Sequence, residues 1–214
     1  MTRNVPVDPP RILLFHKPYG VLSQFTDEAG RRTLADFVSE PGLYAAGRLD
    51  FDSEGLLILT STAWVKSRLL DPAHVTAKTY WAQVEVGPDI DLEAALAGLR
   101  EGVLLADGPT LPARARLLDP EATAGPQAAP GLATLPPRDP PVRPRGGCTP
   151  VWIELTITEG RNRQVRRMCA AVELPALRLV RVAVGPWRLA GLASGAIRRV
   201  DGIPAELFRR ARRS

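Results

Sequence analysis

Residues 47–61 read GRLDFDSEGLLILTS, an acidic segment bracketed by two glycines and followed by an uninterrupted apolar run. The run 56–60 is typical of a buried strand, and 44–46 predicts a second strand just before the acidic segment. Polar loops held by a rigid sheet are where functional side chains usually lie. Asp50 is therefore a candidate nucleophile or base, although the composition alone also fits an acidic surface turn.

The remaining periodicities predict strands and helices in mixed order. Strands are expected at 12–15, 79–86, 151–158 and 177–184. Helices are expected at 33–38, from Thr62 to about 70, at 91–99 and from about 162. Strict strand–helix alternation is absent, which favours an α+β fold built on a large mixed sheet.

The segment 79–86 alternates cleanly, and Tyr80 falls on its apolar face. On pattern alone, Tyr80 is either a core tyrosine whose hydroxyl is hydrogen-bonded or an aromatic platform for a nucleobase. The alternation does not separate these two interpretations.

The segment 159–168, EGRNRQVRRM, combines an amphipathic helix with a cluster of arginines. A buried stripe is expected from Val165, Met168, Cys169 and Val172. The opposite, exposed side carries Arg163, Arg166 and Arg167. A solvated helix face usually interleaves glutamates, so we interpret these arginines as an unpaired, phosphate-binding cluster rather than a solvated face. Arg161 precedes the helix and is placed to turn inward.

The charge of the chain points to a polyanionic partner. The 214 residues carry a net charge of +5, and residues 151–214 hold thirteen arginines against five acidic residues. A basic half of this kind favours a nucleic acid. With 45% hydrophobic and 24% charged residues, the chain has the composition of a globular protein. Cys148 and Cys169 are too few for a disulfide scaffold, and no signal peptide, membrane span, metal-ligand spacing or nucleotide-binding motif is recognisable.

The expected organisation is one domain with loose additions. Residues 1–10 are predicted to be a flexible tail, 11–204 the catalytic domain, and 205–214 a basic terminal helix or tail. Nine of the 21 prolines lie at 120–150, so this stretch is predicted to be a surface loop or disordered insert. We expect residues 122–147 to be dispensable for catalysis.

Taken together, these segments resemble one enzyme family. GRLDFDSEGLLILTS at 47–61 resembles the catalytic motif of pseudouridine synthases, and KTYWAQVEV at 78–86 resembles the motif that supplies their active-site tyrosine. The stretch 159–189 is similar to the third conserved block of the branch that modifies ribosomal RNA, and the stretch 12–34 also matches that branch. The similarity covers about residues 11–200 apart from the insert.

The resemblance implies roles for individual residues. Asp50 would be the catalytic aspartate, and Tyr80 would pack on the target uracil and serve as a candidate base. Arg161 matches the basic residue that pairs with the aspartate, and Leu179 matches the apolar residue beside the tyrosine. Arg48 joins Leu179 and the three helix arginines as a substrate-binding candidate.

The opening segment is most similar to the large-subunit subgroup that lacks an N-terminal S4-type RNA-binding domain, the E type, and no room for such a domain precedes Ile12. The resemblance therefore implies a cytoplasmic, monomeric enzyme that isomerises a uridine in 23S ribosomal RNA without cofactor, metal or membrane. The same activity on 16S RNA or a tRNA is the alternative substrate. A non-catalytic ribosome-assembly factor is the alternative function.

Overall fold

The computed structural model describes residues 10–118 and 135–208, apart from the side chains of Glu206 and Phe208. The predicted tail up to residue 9, the first part of the insert and residues 209–214 lie outside the described residues. Within the described ranges, no helix is both long and apolar enough to cross a membrane.

Strands and helices lie close to their predicted positions. The strands are β1 (Ile12–Lys17), β2 (Tyr44–Ala45), β3 (Glu54–Thr60), β4 (Lys78–Val86), β5 (Leu104–Leu105), β6 (Gly108–Pro109), β7 (Arg114–Leu117), β8 (Thr149–Ile157), β9 (Ala176–Val184), β10 (Trp187–Arg188) and β11 (Ile197–Val200). The α-helices are α1 (Ala63–Leu70), α2 (Leu92–Glu101) and α3 (Gln164–Ala171). Short 3₁₀ helices span Leu34–Asp36, Pro72–His74 and Ala205–Phe208. The α+β prediction is confirmed.

One large mixed sheet forms the centre of the described chain. Its strands follow the order β11-β1-β3-β9-β4-β8-β7, with β2 on β3 and β10 on β9. Strands β3 and β9 pair in parallel, whereas the other pairs in this sheet are antiparallel. Strands β5 and β6 form a separate hairpin. The segment that precedes β3 therefore enters the sheet beside the middle of β9, at Val180 and Arg181.

A glycine makes the parallel contact between β3 and β9 possible. Gly55 has a φ of +106°, and a Cβ atom there would lie 2.3 Å from the carbonyl oxygen of Arg181. Any other residue would meet backbone that has no room to move, so the close approach requires glycine. The second glycine of the opening motif thus fixes where the acidic segment meets β9.

Both faces of the sheet are covered by apolar packing. Tyr80 and Ala82 of β4 belong to a core that also contains residues of α2 and α3, whereas Trp81 belongs to a second core with residues of α1. The predicted stripe of α3 is confirmed, since Val165, Met168 and Cys169 are buried. The alternation along β4 thus separates two cores rather than a core from solvent.

The insert was predicted to be a surface loop or disordered, and residues 135–148 form a mostly exposed loop without regular secondary structure that is attached to the domain. Arg145 donates to the buried Glu85 from its backbone N–H and its Nε, both at 2.6 Å. The carbonyl of Pro136 accepts a hydrogen bond from Arg178 at 3.0 Å. The segment has too few apolar residues to form its own hydrophobic core, but its polar groups form hydrogen bonds with the rest of the domain.

The C-terminal segment also packs where it is described. The 3₁₀ helix Ala205–Phe208 buries Leu207 in the second core, and the Leu207 carbonyl accepts a hydrogen bond from Nε of Arg68. The predicted basic helix or tail thus begins as a docked turn, at least up to residue 208.

Candidate active site

A cleft of about 730 Å³ opens beside the acidic segment. Its walls come from residues 46–51, from the end of α1 through Thr76, from the start of β4 and from residues 158–163. An adjoining pocket of about 70 Å³ is lined by Asp50, Tyr80 and Leu179, among others. The cleft and this pocket together contain six of the predicted site residues: Arg48, Asp50, Tyr80, Arg161, Arg163 and Leu179.

The segment that carries Asp50 is fixed by hydrogen bonds from the chain after β1. The hydroxyl of Ser23 donates to the carbonyl of Leu49 at 2.8 Å and accepts from the Leu49 N–H at 3.0 Å. On the other side of Asp50, the N–H of Gly20 donates to the carbonyl of Phe51 at 2.9 Å. Both flanks of Asp50 are therefore anchored, and its carboxylate, about 30% exposed, faces the cleft.

Arginines at the start of α3 neutralise the acidic segment. Arg163 donates from both terminal nitrogens to the Asp52 carboxylate, each at 2.9 Å, and its Nη1 lies 3.6 Å from Oδ2 of Asp50. Nη2 of Arg166 donates to the Asp52 carbonyl at 2.7 Å. Burial opposes ionisation of Asp52, but the hydrogen bonds from Arg163 and the charge of Arg166 outweigh it and keep its pKa below the ordinary value.

The backbone of Arg163 has a left-handed conformation, with φ 47° and ψ 30°. This conformation is uncommon for a residue other than glycine. It lies at the N-cap position of α3, where the chain turns into the helix. The side chain of Arg163 extends from this turn to Asp52 in the acidic segment. The left-handed backbone and the ion pair therefore occur at the same residue.

The predicted pairing of Arg161 with Asp50 is wrong. The guanidinium of Arg161 donates to Glu159 at 3.2 Å and to the carbonyl of Gly108 at 3.0 Å. Glu159 and the β5–β6 hairpin thus satisfy Arg161 on the far wall of the cleft. The cation beside Asp50 is Arg163 instead.

The expectation that the α3 arginines are unpaired is also wrong, and of the three only Arg163 is exposed. Arg167 makes a two-bonded ion pair with Asp107, both distances being 2.9 Å. Arg166 has a side chain only 12% exposed and donates to the Ala176 carbonyl at 2.9 Å. The carboxylates that pair with Arg163 and Arg167 come from segments far away in the chain, so no acidic neighbour was visible in the helix itself.

Two further cations in the cleft were missed by the sequence reasoning. Lys78 lines the cleft, and burial, with the nearby charge of Arg181, lowers its pKa. Arg181 is buried and donates from Nε to the Leu56 carbonyl at 2.8 Å, while its Nη2 has no partner among the described residues. The available signal was an arginine two positions after Leu179, on a strand face that otherwise carries apolar residues such as Leu177 and Ala183.

An aromatic ring at the cleft was also missed. Phe51 directly follows Asp50, lines the cleft and is 40% exposed. An apolar ring left open to solvent beside a polar site can stack on a planar ligand. The described residues contain no group of three His, Cys, Asp or Glu side chains able to hold a metal ion.

Comparison with known proteins places this site in a family. The family model for RNA pseudouridylate synthase matches residues 11–171. The ribosomal large subunit pseudouridine synthase E of Xanthomonas axonopodis pv. citri is 57% identical over 85% of this chain and 90% of the relative. The enzyme of the same name from Vibrio vulnificus is 48% identical over 86% of this chain and 73% of the relative.

Solved structures agree with the sequence comparisons. A crystal structure of a pseudouridylate synthase superposes with a TM-score of 0.69 at 28% identity, covering 92% of this chain and 73% of the other. An H/ACA ribonucleoprotein structure bound to a substrate RNA shares the fold, with a TM-score of 0.52 at 14% identity over 83% of this chain and 48% of the other. The chain thus combines a mixed sheet, a pocket lined by Asp50 and Tyr80, and clear similarity to known pseudouridine synthases. It belongs to the RNA pseudouridylate synthase family and is an RNA pseudouridine synthase.

Proposed function

We propose that this enzyme converts a specific uridine of 23S ribosomal RNA to pseudouridine, with Asp50 as the catalytic carboxylate. The observation that carries the proposal is the pocket that Asp50 shares with Tyr80 and Leu179. The names of the similar large-subunit enzymes support the substrate. Action on ribosomal RNA further supports a cytoplasmic location, and we propose that the enzyme works as a monomer.

The reaction requires the protein to position the uridine and to place a charged carboxylate beside its ribose. The N1–C1′ bond breaks, the uracil turns, C5 bonds to C1′ and loses its proton, and N1 takes up a proton, so that nothing is consumed. Asp50 acts on the ribose either as nucleophile or as base, and both roles need the ionised carboxylate. The guanidinium of Arg163 lies 3.6 Å from Asp50 and places a positive charge beside this carboxylate.

The uracil must leave its stack before the carboxylate can act. Extruding a base costs roughly a few kcal/mol, which contacts in the pocket and to the backbone offset. The ring of Tyr80 and the side chain of Leu179 line the pocket next to Asp50 and supply an apolar surface for the extruded base. Phe51 offers a second ring at the cleft for a neighbouring base.

Cations around the cleft are suited to the RNA backbone. Arg48 and Lys78 line the cleft, and the described chain supplies no carboxylate partner for either side chain. Arg181 lines the same cleft, and its buried Nη2, which has no partner among the described residues, is a candidate donor to an oxygen of the bound nucleotide. Phosphate binding by Arg163, Arg166 and Arg167 stays a prediction. To bind RNA, each of these arginines would have to release its present partner in the protein.

Mapping of pseudouridines tests the substrate. A strain that lacks the gene is expected to lose one pseudouridine in 23S RNA, and the wild-type gene should restore it where an Asp50→Asn copy does not. Purified enzyme should modify a protein-free 23S fragment around that site, with 16S RNA and total tRNA as controls. A lost site in 16S RNA or tRNA would contradict the 23S assignment. Binding of 23S RNA without modification of any RNA would favour an assembly factor.

A further inference from the structure

We propose that residues 135–148, here called the strap, position the acidic segment 47–55, here called the catalytic segment because it carries Asp50. Arg138 is the main positioning residue. This inference rests on the proposed catalytic role of Asp50, and for residues 135–147 it replaces the expectation that the insert is dispensable for catalysis. The strap contributes no residue to the walls of the cleft or of the adjoining pocket. Its effect on the reaction must therefore pass through the residues it contacts.

Arg138 ties the strap to two elements of the domain. Its guanidinium carbon lies 4.7 Å from the centre of the Tyr19 ring, in a cation–π arrangement. Nη1 donates to the carbonyl of Leu177 in β9 at 3.2 Å, and Nε donates to the carbonyl of Pro140 within the strap at 2.8 Å. One side chain thus joins the strap, the turn after β1 and the strand β9.

The turn under Arg138 also holds the catalytic segment. Tyr19 precedes Gly20, whose N–H donates to the Phe51 carbonyl at 2.9 Å. The buried amine of Lys17 stiffens this turn by donating to the carbonyls of Pro18 and Val21, at 2.9 and 2.6 Å. A displaced Tyr19 would therefore shift the hydrogen bond that fixes the residue next to Asp50.

A second contact of the strap reaches the point where the catalytic segment enters β3. Glu54, the first residue of β3, accepts from Nε and Nη2 of Arg178, both at 2.8 Å, in an ion pair whose side chains are only 5% and 7% exposed. Nη2 of Arg178 also donates to the Pro136 carbonyl of the strap at 3.0 Å. A buried ion pair is favourable only when its hydrogen-bonding groups are satisfied, so Pro136 helps to fix the start of β3.

The far end of the strap is held as well. Arg145 makes its two 2.6 Å hydrogen bonds to Glu85 on β4. The strap is therefore attached near its beginning, through Pro136 and Arg138, and near its end, through Arg145. The first two attachments lead to Glu54 and Phe51, which both follow Asp50 in the chain. Proline lowers the conformational entropy that the segment loses on ordering, which favours a fixed brace over a mobile loop.

The test compares two arginines of the strap. Arg138→Ala removes the bridge, while Arg143→Ala removes the same charge at an exposed position for which the described chain shows no contact. We expect Arg138→Ala to lower the single-turnover rate on the 23S fragment about ten-fold, equivalent to about 1.4 kcal/mol, with KM and RNA affinity unchanged within two-fold. Arg143→Ala should match the wild type. Circular dichroism and the melting temperature show whether each variant is folded at the assay temperature.

The partner residue provides a second variant. Tyr19→Leu should lower the single-turnover rate to a similar extent, and the double variant with Arg138→Ala should be no slower than the slower single variant, since both break one connection. Rates of Arg138→Ala equal to the wild type would overturn the inference. So would a loss confined to KM, affinity or salt dependence, because that pattern would make the strap an RNA contact. A wild type that modifies no RNA would instead overturn the proposed function, before any strap variant is compared.

Discussion

Arg163 and Asp52 form a two-bonded ion pair with both nitrogen–oxygen distances at 2.9 Å, and the same guanidinium lies 3.6 Å from Asp50. Arg163 thus forms hydrogen bonds to Asp52 and also places its positive charge beside Asp50, the residue assigned to catalysis. Arg166 lies beside this pair and supplies a second positive charge. Burial lowers the pKa of Arg166, and the charges of Asp52 and Asp50 offset part of that effect. The electrostatics of the site therefore depend on the start of α3 more than on Arg161.

Arg163→Ala should slow single turnover by about ten-fold or more, because Asp50 loses its adjacent positive charge and the acidic segment loses the ion pair at Asp52. Arg161→Ala is the matched control and should have a smaller effect, since its guanidinium is occupied by Glu159 and the β5–β6 hairpin. Rates are to be measured with saturating 23S fragment at one pH, after thermal melts confirm folding. A larger loss for Arg161→Ala would contradict the assignment of Arg163.

Asp50→Asn should abolish isomerisation, with a loss on the order of 10² or more, because the amide can act neither as nucleophile nor as base. Asparagine is nearly isosteric, so RNA affinity should stay within a few-fold. The measurement is pseudouridine formed per enzyme, together with a filter-binding curve on the same RNA. Near wild-type formation of pseudouridine by this variant would show that another residue performs the chemistry.

The salt dependence of RNA binding should separate free cations from paired ones. Arg48→Ala and Lys78→Ala are each expected to reduce the slope of log K against log salt by up to about one, because each removes a cleft cation. Arg167→Ala should change the slope less, since the two-bonded pair with Asp107 already neutralises that arginine. Equal slope changes in all three variants would mean that the pair with Asp107 opens when RNA binds.

Lys17 should make folding stability depend on pH in the alkaline range. Burial lowers its pKa from 10.5 to about 7, against the opposing charges of Glu54, Asp52 and Asp50. Between pH 7 and about 10 the unfolded chain then binds more protons than the folded one, so the free energy of unfolding rises with pH by up to about 1.4 kcal/mol per unit. Below pH 7 the amine is protonated in both states, and this contribution no longer changes.

Urea denaturation across that range measures the effect. Lys17→Met should lose this component of the slope, whereas Lys66→Met should retain it. Lys66 is a suitable control because its amine lies 5.3 Å from the centre of the Tyr44 ring, on the outer side of α1. A pH dependence unchanged by Lys17→Met would show that the amine of Lys17 titrates at its ordinary pKa in the folded protein.

Local periodicity was sufficient for most elements of the fold. The alternation of 79–86 and the apolar run 56–60 correspond closely to β4 and β3, because side-chain direction in a strand repeats every two residues whatever lies around it. Asp50 and Tyr80 were also recognisable, since each lies within a contiguous motif. Asp91 and Gly102 marked the ends of α2 for the same local reason.

Contacts between distant segments were decided only by the tertiary structure. Arg163 and Asp52 are 111 residues apart, and Arg167 and Asp107 are 60 apart, so the helix sequence alone suggested free arginines. Arg138 likewise meets Tyr19 only after the strap has folded back along the sheet. A residue's type and spacing determined which chemistry the chain could carry, but charge pairing depends on distances of a few ångströms, and those distances are set by how the strands assemble.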